Sequence, residues 1–351
     1  MSWEEKVRKV VPYTPGEQPN RPNMIKLNTN ECPYPPAPGV RKAMEEFDTD
    51  RLRLYPDPTA SVLVDALADY YGLKNTEVFV GVGSDDVLAM IFMTFFNGKE
   101  PVLFPDITYS FYDVWAELFK IPYERIPLDD NFHIKKEDYL KKKNGGIIFP
   151  NPNAPTGVLV EPEFIEDILS ANPDVIVVAD EAYIDFGGKS ALPLIHKYDN
   201  LLVVQTFSKS RAMAGIRIGY AMGNEKLIRY LNDVKYSFNS YTINQTALAL
   251  GVEAVRDDAY FKEIVGKIVN TRERVKKELK ELGFEFQDSM SNFIFATHPQ
   301  YDAAELFEAL RREDIYVRHF NGERVKDYLR ITIGTDKEMD TLLEFLRNYM
   351  K

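Results

Sequence analysis

Apolar residues recur at helical spacing over 62–71, gather into a short β-branched run at 78–82, and return to helical spacing over 84–96. Further short apolar runs follow at 102–104, 147–149, 175–179, 201–205 and 218–222, with helical stretches between most of them. Strands buried on both faces read as unbroken apolar runs, so this alternation predicts an α/β fold with a mostly parallel sheet covered by helices. Beyond about residue 250 the texture changes. One long charged amphipathic helix is predicted over 257–282, then strands at 285–287 and 292–297, a helix over 302–313, strands near 315–319 and 329–333, and a last helix over 336–349 with Asp336 as its N-cap. Ahead of the alternation, residues 12–38 carry eight prolines, too many for a helix or a central strand, and predict an extended arm. The organisation expected is an N-terminal arm over 1–40 that also contributes to a smaller domain, a large domain over 41–250, and a small α+β domain over 251–351.

Composition narrows the classes of function. A chain of 351 residues has room for a sizeable core, and 45% apolar or aromatic against 28% charged residues is the balance of a globular protein. With 43 Lys and Arg against 54 Asp and Glu the net charge is −11, which lacks the basic footprint of nucleic-acid or anionic-membrane binding. Anionic ligands must then be held by local arginines. Cys32 is the single cysteine, so no intramolecular disulfide is possible and the cytoplasm is the expected location. Residues 1–20 show no apolar signal-peptide core, and the uncharged run 87–96 is about half a membrane span, so neither a signal peptide nor a membrane helix is expected. Four scattered histidines fit no ligand spacing, and no metal is expected.

The chemistry concentrates in five segments. Lys209, in Thr206-Phe207-Ser208-Lys209, ends an apolar β-run, where desolvation favours the neutral amine that attacks a carbonyl in Schiff-base chemistry. Arg217, eight residues on, offers a bidentate fork that could join the hydroxyls of Thr206 and Ser208 in a phosphate cradle. Asp180 in Val178-Ala179-Asp180-Glu181-Ala182-Tyr183 ends another strand, at the edge where parallel sheets bind ligands, and a buried carboxylate there needs a cationic partner or serves as a helix cap. Ser84 and Asp85 in Gly81-Val82-Gly83-Ser84-Asp85-Asp86 stand at a strand-to-helix turn suited to a phosphate, although the third glycine of a dinucleotide fingerprint is missing. Asn153 in Asn151-Pro152-Asn153-Ala154-Pro155-Thr156-Gly157 lies in a rigid loop, and Tyr109 begins the next helix, as core or as a ring that stacks on a planar cofactor.

Taken in order, these segments, together with Leu329-Arg330-Ile331-Thr332-Ile333-Gly334, resemble the fold-type I pyridoxal-phosphate aminotransferases of the aspartate-aminotransferase superfamily, and within it the histidinol-phosphate aminotransferases. The resemblance covers essentially the whole chain. It implies a seven-stranded, mostly parallel sheet in the large domain and pyridoxal 5′-phosphate bound as a Schiff base to Lys209, which then shuttles the proton. It implies that Asp180 holds the pyridine nitrogen, that Tyr183 and Asn153 approach the phenolic oxygen, and that Tyr109 stacks on the ring. Ser84, Asp85, Thr206, Ser208 and Arg217 would bind the cofactor phosphate, joined by Tyr55 from the partner subunit of a homodimer. Tyr13, Asn30, Asn239, Arg318 and Arg330 would hold the substrate. The implied reaction moves the amino group of L-histidinol phosphate to 2-oxoglutarate, as a step of histidine biosynthesis.

Three positions depart from the pattern. Ala154 stands where the family places an Asn next to Pro-Thr-Gly, so either Asn153 shifts in or Tyr183 bears that role alone. Cys32 replaces an Asn, and Ser291-Asn292-Phe293 replaces Gly-Asn-Phe. Other readings stay open: an aminotransferase for aromatic amino acids, a relative of the threonine-phosphate decarboxylases, a non-catalytic binding protein, or a dehydrogenase of the Rossmann type.

Overall fold

A computed structural model describes residues 2–351. Its strands, numbered in chain order, are β1 (Ile25–Lys26), β2 (Val78–Gly81), β3 (Val102–Pro105), β4 (Tyr123–Ile126), β5 (Gly146–Pro150), β6 (Val177–Asp180), β7 (Leu201–Thr206), β8 (Gly219–Gly223), β9 (Glu285–Phe286), β10 (Phe293–Thr297), β11 (Ile315–Tyr316), β12 (Arg318–His319) and β13 (Tyr328–Thr332). Seven of them form one sheet in the order β2-β8-β7-β6-β5-β3-β4. Pairing is parallel from β7 through β4, and β8 runs antiparallel to both its neighbours.

Every residue of β3, β5, β6 and β7 is buried, because helices cover both faces. Fully burying each Leu, Val, Ile or Phe of these strands contributes roughly 1.5–3 kcal/mol before conformational entropy is set against it. Six of the seven strands coincide with the apolar runs. The seventh, β4, has the sequence Tyr-Glu-Arg-Ile and escaped the pattern because an edge strand with one free side can be polar. Its Arg125 pairs with Asp113 of the helix Phe111–Phe119.

In the C-terminal part a four-stranded antiparallel sheet, β12-β13-β10-β9, packs on the helix Asp258–Glu281. Two expectations change here. The run 315–319 is two strands in two sheets: β11 pairs in parallel with β1 of the arm, and after Val317 the chain turns into β12 beside β13. The last helix, Asp336–Tyr349, is capped by Thr335, which exchanges bonds with Glu338 in a capping box, and Asp336 is its first helical residue.

The proline-rich segment runs without regular structure to β1, and Pro38 belongs to the helix Pro38–Glu45 at its favoured first position. The arm lies on its own chain. Tyr13 stacks on Phe111 at 4.1 Å, Arg8 donates to the carbonyl of Leu118, and Glu17 pairs with Arg311. No helix among the described residues is long and apolar enough to cross a membrane.

Candidate active site

The carboxyl ends of β5, β6 and β7 lie side by side, with Pro150 opposite Asp180 and Asp180 opposite Val204. Consecutive strand residues face opposite ways, which separates two adjacent carboxylates. Asp180 lines a cavity of about 190 Å³. Glu181 does not line it; its carboxylate accepts bonds from Ser190, the Ala191 N–H and Gln205.

Asp180 accepts from the Tyr112 hydroxyl at 2.8 Å and from the Ala182 N–H at 3.3 Å. Burial nevertheless pushes its carboxyl up to about 6, the two hydrogen bonds opposing the shift and the charge of Asp85 adding to it. Among the described residues no cationic side chain pairs with Asp180, so its surroundings call for a positive group brought by a ligand.

Lys209 follows β7, with its Nζ donating to the Thr29 carbonyl at 3.0 Å and lying 5.7 Å from the centre of the Tyr183 ring. Around the same cavity stand Ser84, Asp85, Tyr109, Thr206, Ser208 and Arg217. Ser84 and Asp85 open the helix Ser84–Phe95, where the first N–H groups have no intrahelical acceptor. Arg217 reaches Ser208 at 3.3 Å and Asp85 at 3.2 Å, while Tyr109 donates to Asp85 at 2.6 Å.

Two glycines make this cradle possible. Gly83 takes φ +84, and a Cβ on it would meet Arg217 at 2.4 Å. A Cβ on Gly219 would fall 2.2 Å from the Ser84 nitrogen. Amine, ring-facing carboxylate, tyrosines and an anion cradle thus converge in one place, and this donor set fits pyridoxal phosphate.

A second cavity, about 180 Å³, adjoins the first and shares Thr29, Tyr109, Ala154, Tyr183 and Lys209 with it. Its own lining includes Tyr13, Asn28, Asn30, Arg318 and Arg330, and no acidic residue. Arg330 sits on β13 opposite Arg318 of β12, and its Nη2 donates to the Asn28 carbonyl at 3.0 Å. Its Nε is buried without a hydrogen-bond partner among the described residues, which suits a site built for an anion. Burial and the neighbouring Arg318 lower its proton affinity, while the nearby tyrosines oppose that shift. Asn30, held at φ +59, receives the Thr332 hydroxyl and donates to the Tyr183 hydroxyl at 3.0 Å. Asn292 of the Ser-Asn-Phe segment fixes the Asn30 carbonyl.

Three expected residues stand apart from both cavities. Asn153 is buried with its amide spent on Thr156 of its own loop and on the segment after β3: it donates to the Ile107 carbonyl and to Thr156, and accepts from Thr108. Ala154 lines both cavities instead. The neighbourhood of Tyr183 therefore contains Asn30 rather than Asn153. Tyr55 is 80% exposed and stacks on Tyr241 at 4.6 Å. Asn239 follows the exposed end of the helix Glu225–Phe238 and accepts from the Tyr241 N–H.

Tyr112, which holds Asp180 from outside both cavities, reads in the sequence only as one more aromatic in an amphipathic helix. Asn28, Thr29 and Glu31 carried a signal, because Leu27-Asn28-Thr29-Asn30-Glu31-Cys32-Pro33-Tyr34 resembles the family's substrate-covering segment.

The arrangement is that of an enzyme for amino-group chemistry, and the chain belongs to the family of class I and II aminotransferases, which it matches over residues 22–346. It is 53% identical to the histidinol-phosphate aminotransferase of Lactococcus lactis subsp. cremoris over 351 residues, all of this chain and 98% of that one. Among solved structures it resembles histidinol-phosphate aminotransferase from Sinorhizobium meliloti in complex with pyridoxal-5′-phosphate, with TM-score 0.82, 24% identity, and 93% of this chain and 91% of that one covered. L-threonine-O-3-phosphate decarboxylase from Porphyromonas gingivalis is comparable in fold, with TM-score 0.80 and 22% identity over 93% of this chain and 99% of that one. The fold is fold-type I; a fold shared by these two enzymes does not by itself choose a substrate.

Proposed function

We propose that this aminotransferase uses pyridoxal 5′-phosphate to move the amino group of L-histidinol phosphate to 2-oxoglutarate. The observation that carries the substrate is the second cavity: a paired Arg318 and Arg330, with the orphan Nε of Arg330, beside the Tyr13 hydroxyl. Two guanidinium groups suit a phosphate monoester, which carries up to two negative charges and accepts bidentate bonds. The full-length identity to a histidinol-phosphate aminotransferase supports the same donor.

When bound, the cofactor supplies an aldehyde carbon for the amine and a ring that withdraws the electron pair left at the substrate Cα. Lys209 would hold the cofactor through its Nζ, and its amine, when free, would take the proton from the substrate Cα and return it to the cofactor's former aldehyde carbon. Asp180 would hold the ring nitrogen and favour its protonated form, a cation that would supply the partner the carboxylate lacks. Tyr183, oriented by Asn30, offers its hydroxyl proton to the phenolic oxygen. Ser208, Arg217 and the N–H groups of Ser84 and Asp85 hold the phosphate, and Tyr109 covers the ring. In the second half-reaction Arg330 binds a carboxylate of the keto acid, so one guanidinium serves both substrates.

The active form is a homodimer in which Tyr55 reaches the partner's cofactor phosphate. Supporting it is an exposed apolar surface of Leu52, Leu54, Tyr55 and Phe238, between 53% and 80% exposed, which a second copy would cover. Asn239 borders that surface.

The test is to titrate the yellow holoenzyme with L-histidinol phosphate in the absence of keto acid and follow the visible band. Bleaching at low donor concentration, reversed by 2-oxoglutarate with release of glutamate, is the expected outcome. Bleaching by phenylalanine but not by the phosphorylated donor would keep the cofactor and overturn the substrate. Loss of carbon dioxide from threonine phosphate would favour a decarboxylase.

A further inference from the structure

Histidinol phosphate has two arms on its amine-bearing carbon, a phosphate ester and an imidazole, and the arginine pair accounts for one. Among residues lining the two cavities the carboxylates are Glu31, Asp85 and Asp180. Asp85 is engaged by Arg217 and Tyr109, and Asp180 by Tyr112 at the cavity floor. Glu31 is different. It belongs to the segment that supplies Asn28, Thr29 and Asn30 to the second cavity, yet it lines the first, beside Lys209.

Its Oε2 is fixed by Lys26 and by the Thr29 hydroxyl, which leaves Oε1 with no hydrogen bond among the described residues. Burial raises the Glu31 carboxyl, but the bonds from Lys26 and Thr29 and the charges of Lys26 and Lys209 outweigh it, so the group stays ionised at neutral pH. A half-exposed carboxylate whose position is fixed through one oxygen and whose other oxygen is free is a preorganised acceptor. Thr29 links it to the chemistry, because the Thr29 carbonyl is the acceptor for Lys209.

We propose that Glu31 is a specificity-determining residue that accepts the imidazole N–H of the donor through Oε1, while the arginine pair of the adjoining cavity takes the phosphate. This rests on the reading of histidinol phosphate as donor. The two polar ends of the substrate then meet groups of opposite charge, and Lys26 and Thr29 act as positioning residues. A phenyl ring in place of the imidazole offers no N–H and leaves a desolvated carboxylate unmatched, the kind of penalty that discriminates more strongly than a missing apolar contact.

The experiment compares L-histidinol phosphate with L-phenylalaninol phosphate, which differs only in the ring, in wild type, Glu31→Gln and Glu31→Asp. Wild type should favour the imidazole donor. Glu31→Gln should lower kcat/KM for histidinol phosphate by about 10- to 100-fold, mostly through KM, and change it less than about 3-fold for the phenyl analogue. Glu31→Asp should recover part of the preference. The cofactor's visible band should match wild type in both variants, and Glu31→Asp, which keeps the charge beside Lys209, should also leave its titration midpoint in place. Equal losses for both donors, or a displaced titration midpoint in the charge-conserving Glu31→Asp, would mean that Glu31 acts on Lys209 or on the fold and would overturn the inference alone. Wild type that does not turn over histidinol phosphate would overturn the donor assignment beneath it.

Discussion

The cofactor side of the cleft and its substrate-anion side are built by different means. On the cofactor side, Ser84, Asp180, Thr206, Ser208, Lys209 and Arg217 follow the ends of β2, β6 and β7 or lead into β8, and strand register brings them together. On the substrate side Tyr13, Asn30, Arg318 and Arg330 come from opposite ends of the chain. Asn30 and Thr332 bond across 302 residues, and β1 joins β11 in a two-stranded sheet. A site set by strand ends inherits the rigidity of a sheet buried on both faces. One assembled from an arm and a distant sheet depends on contacts that close last and at greater entropic cost. The cofactor side should therefore tolerate disturbance of the arm, whereas the substrate side should not.

The sharpest break of that division is Lys209→Ala, which should lower transamination by about 10⁴-fold or more and abolish the covalent cofactor band while the arm stays in place. Asp180→Asn comes next, with kcat expected to fall about 10²- to 10³-fold. It also carries a pH signature. With a folded pKa of about 6 against about 3.9 unfolded, the cofactor-free native state holds an extra proton between those values. Its stability accordingly falls as pH rises through that window, the cost reaching about 3 kcal/mol above pH 6. Denaturation at pH 5 and 7.5 should show this slope in the cofactor-free protein. Cofactor binding or Asp180→Asn should reduce it, leaving the part of the same sign that comes from Glu181, pushed up to about 7 by burial, and an unchanged slope in the variant would contradict the assignment.

Arg318→Ala tests the other side, with a loss of about 10²-fold in kcat/KM for phosphorylated donors and little change for phenylalanine or in cofactor spectrum. If the preference for phosphate survives, the phosphate pocket is elsewhere. The smallest effect on chemistry is expected for Asn153→Ala. Removal of an amide that bonds Ile107, Thr108 and Thr156 should cost about 1–3 kcal/mol of stability, read by denaturant unfolding, with kcat changed only a few-fold. A loss of cofactor affinity without loss of stability would instead return Asn153 to the cofactor.

Apolar periodicity and strand-end chemistry marked six of the seven large-sheet strands, the amine at Lys209, the carboxylate at Asp180 and the glycine-lined turn at Gly83, because each depends on neighbours close in sequence. They were silent where the deciding contact is distant. Nothing in a run of four residues shows that Tyr112 will meet Asp180, that the arm will pair with β11 and split 315–319 into two strands, or that Asn153 will bond to Ile107 and Thr108 and leave Ala154 at the cavity wall. Those outcomes were decided by tertiary structure, where the energy of a buried hydrogen bond or a packed ring depends on groups that meet only after the chain has closed on itself.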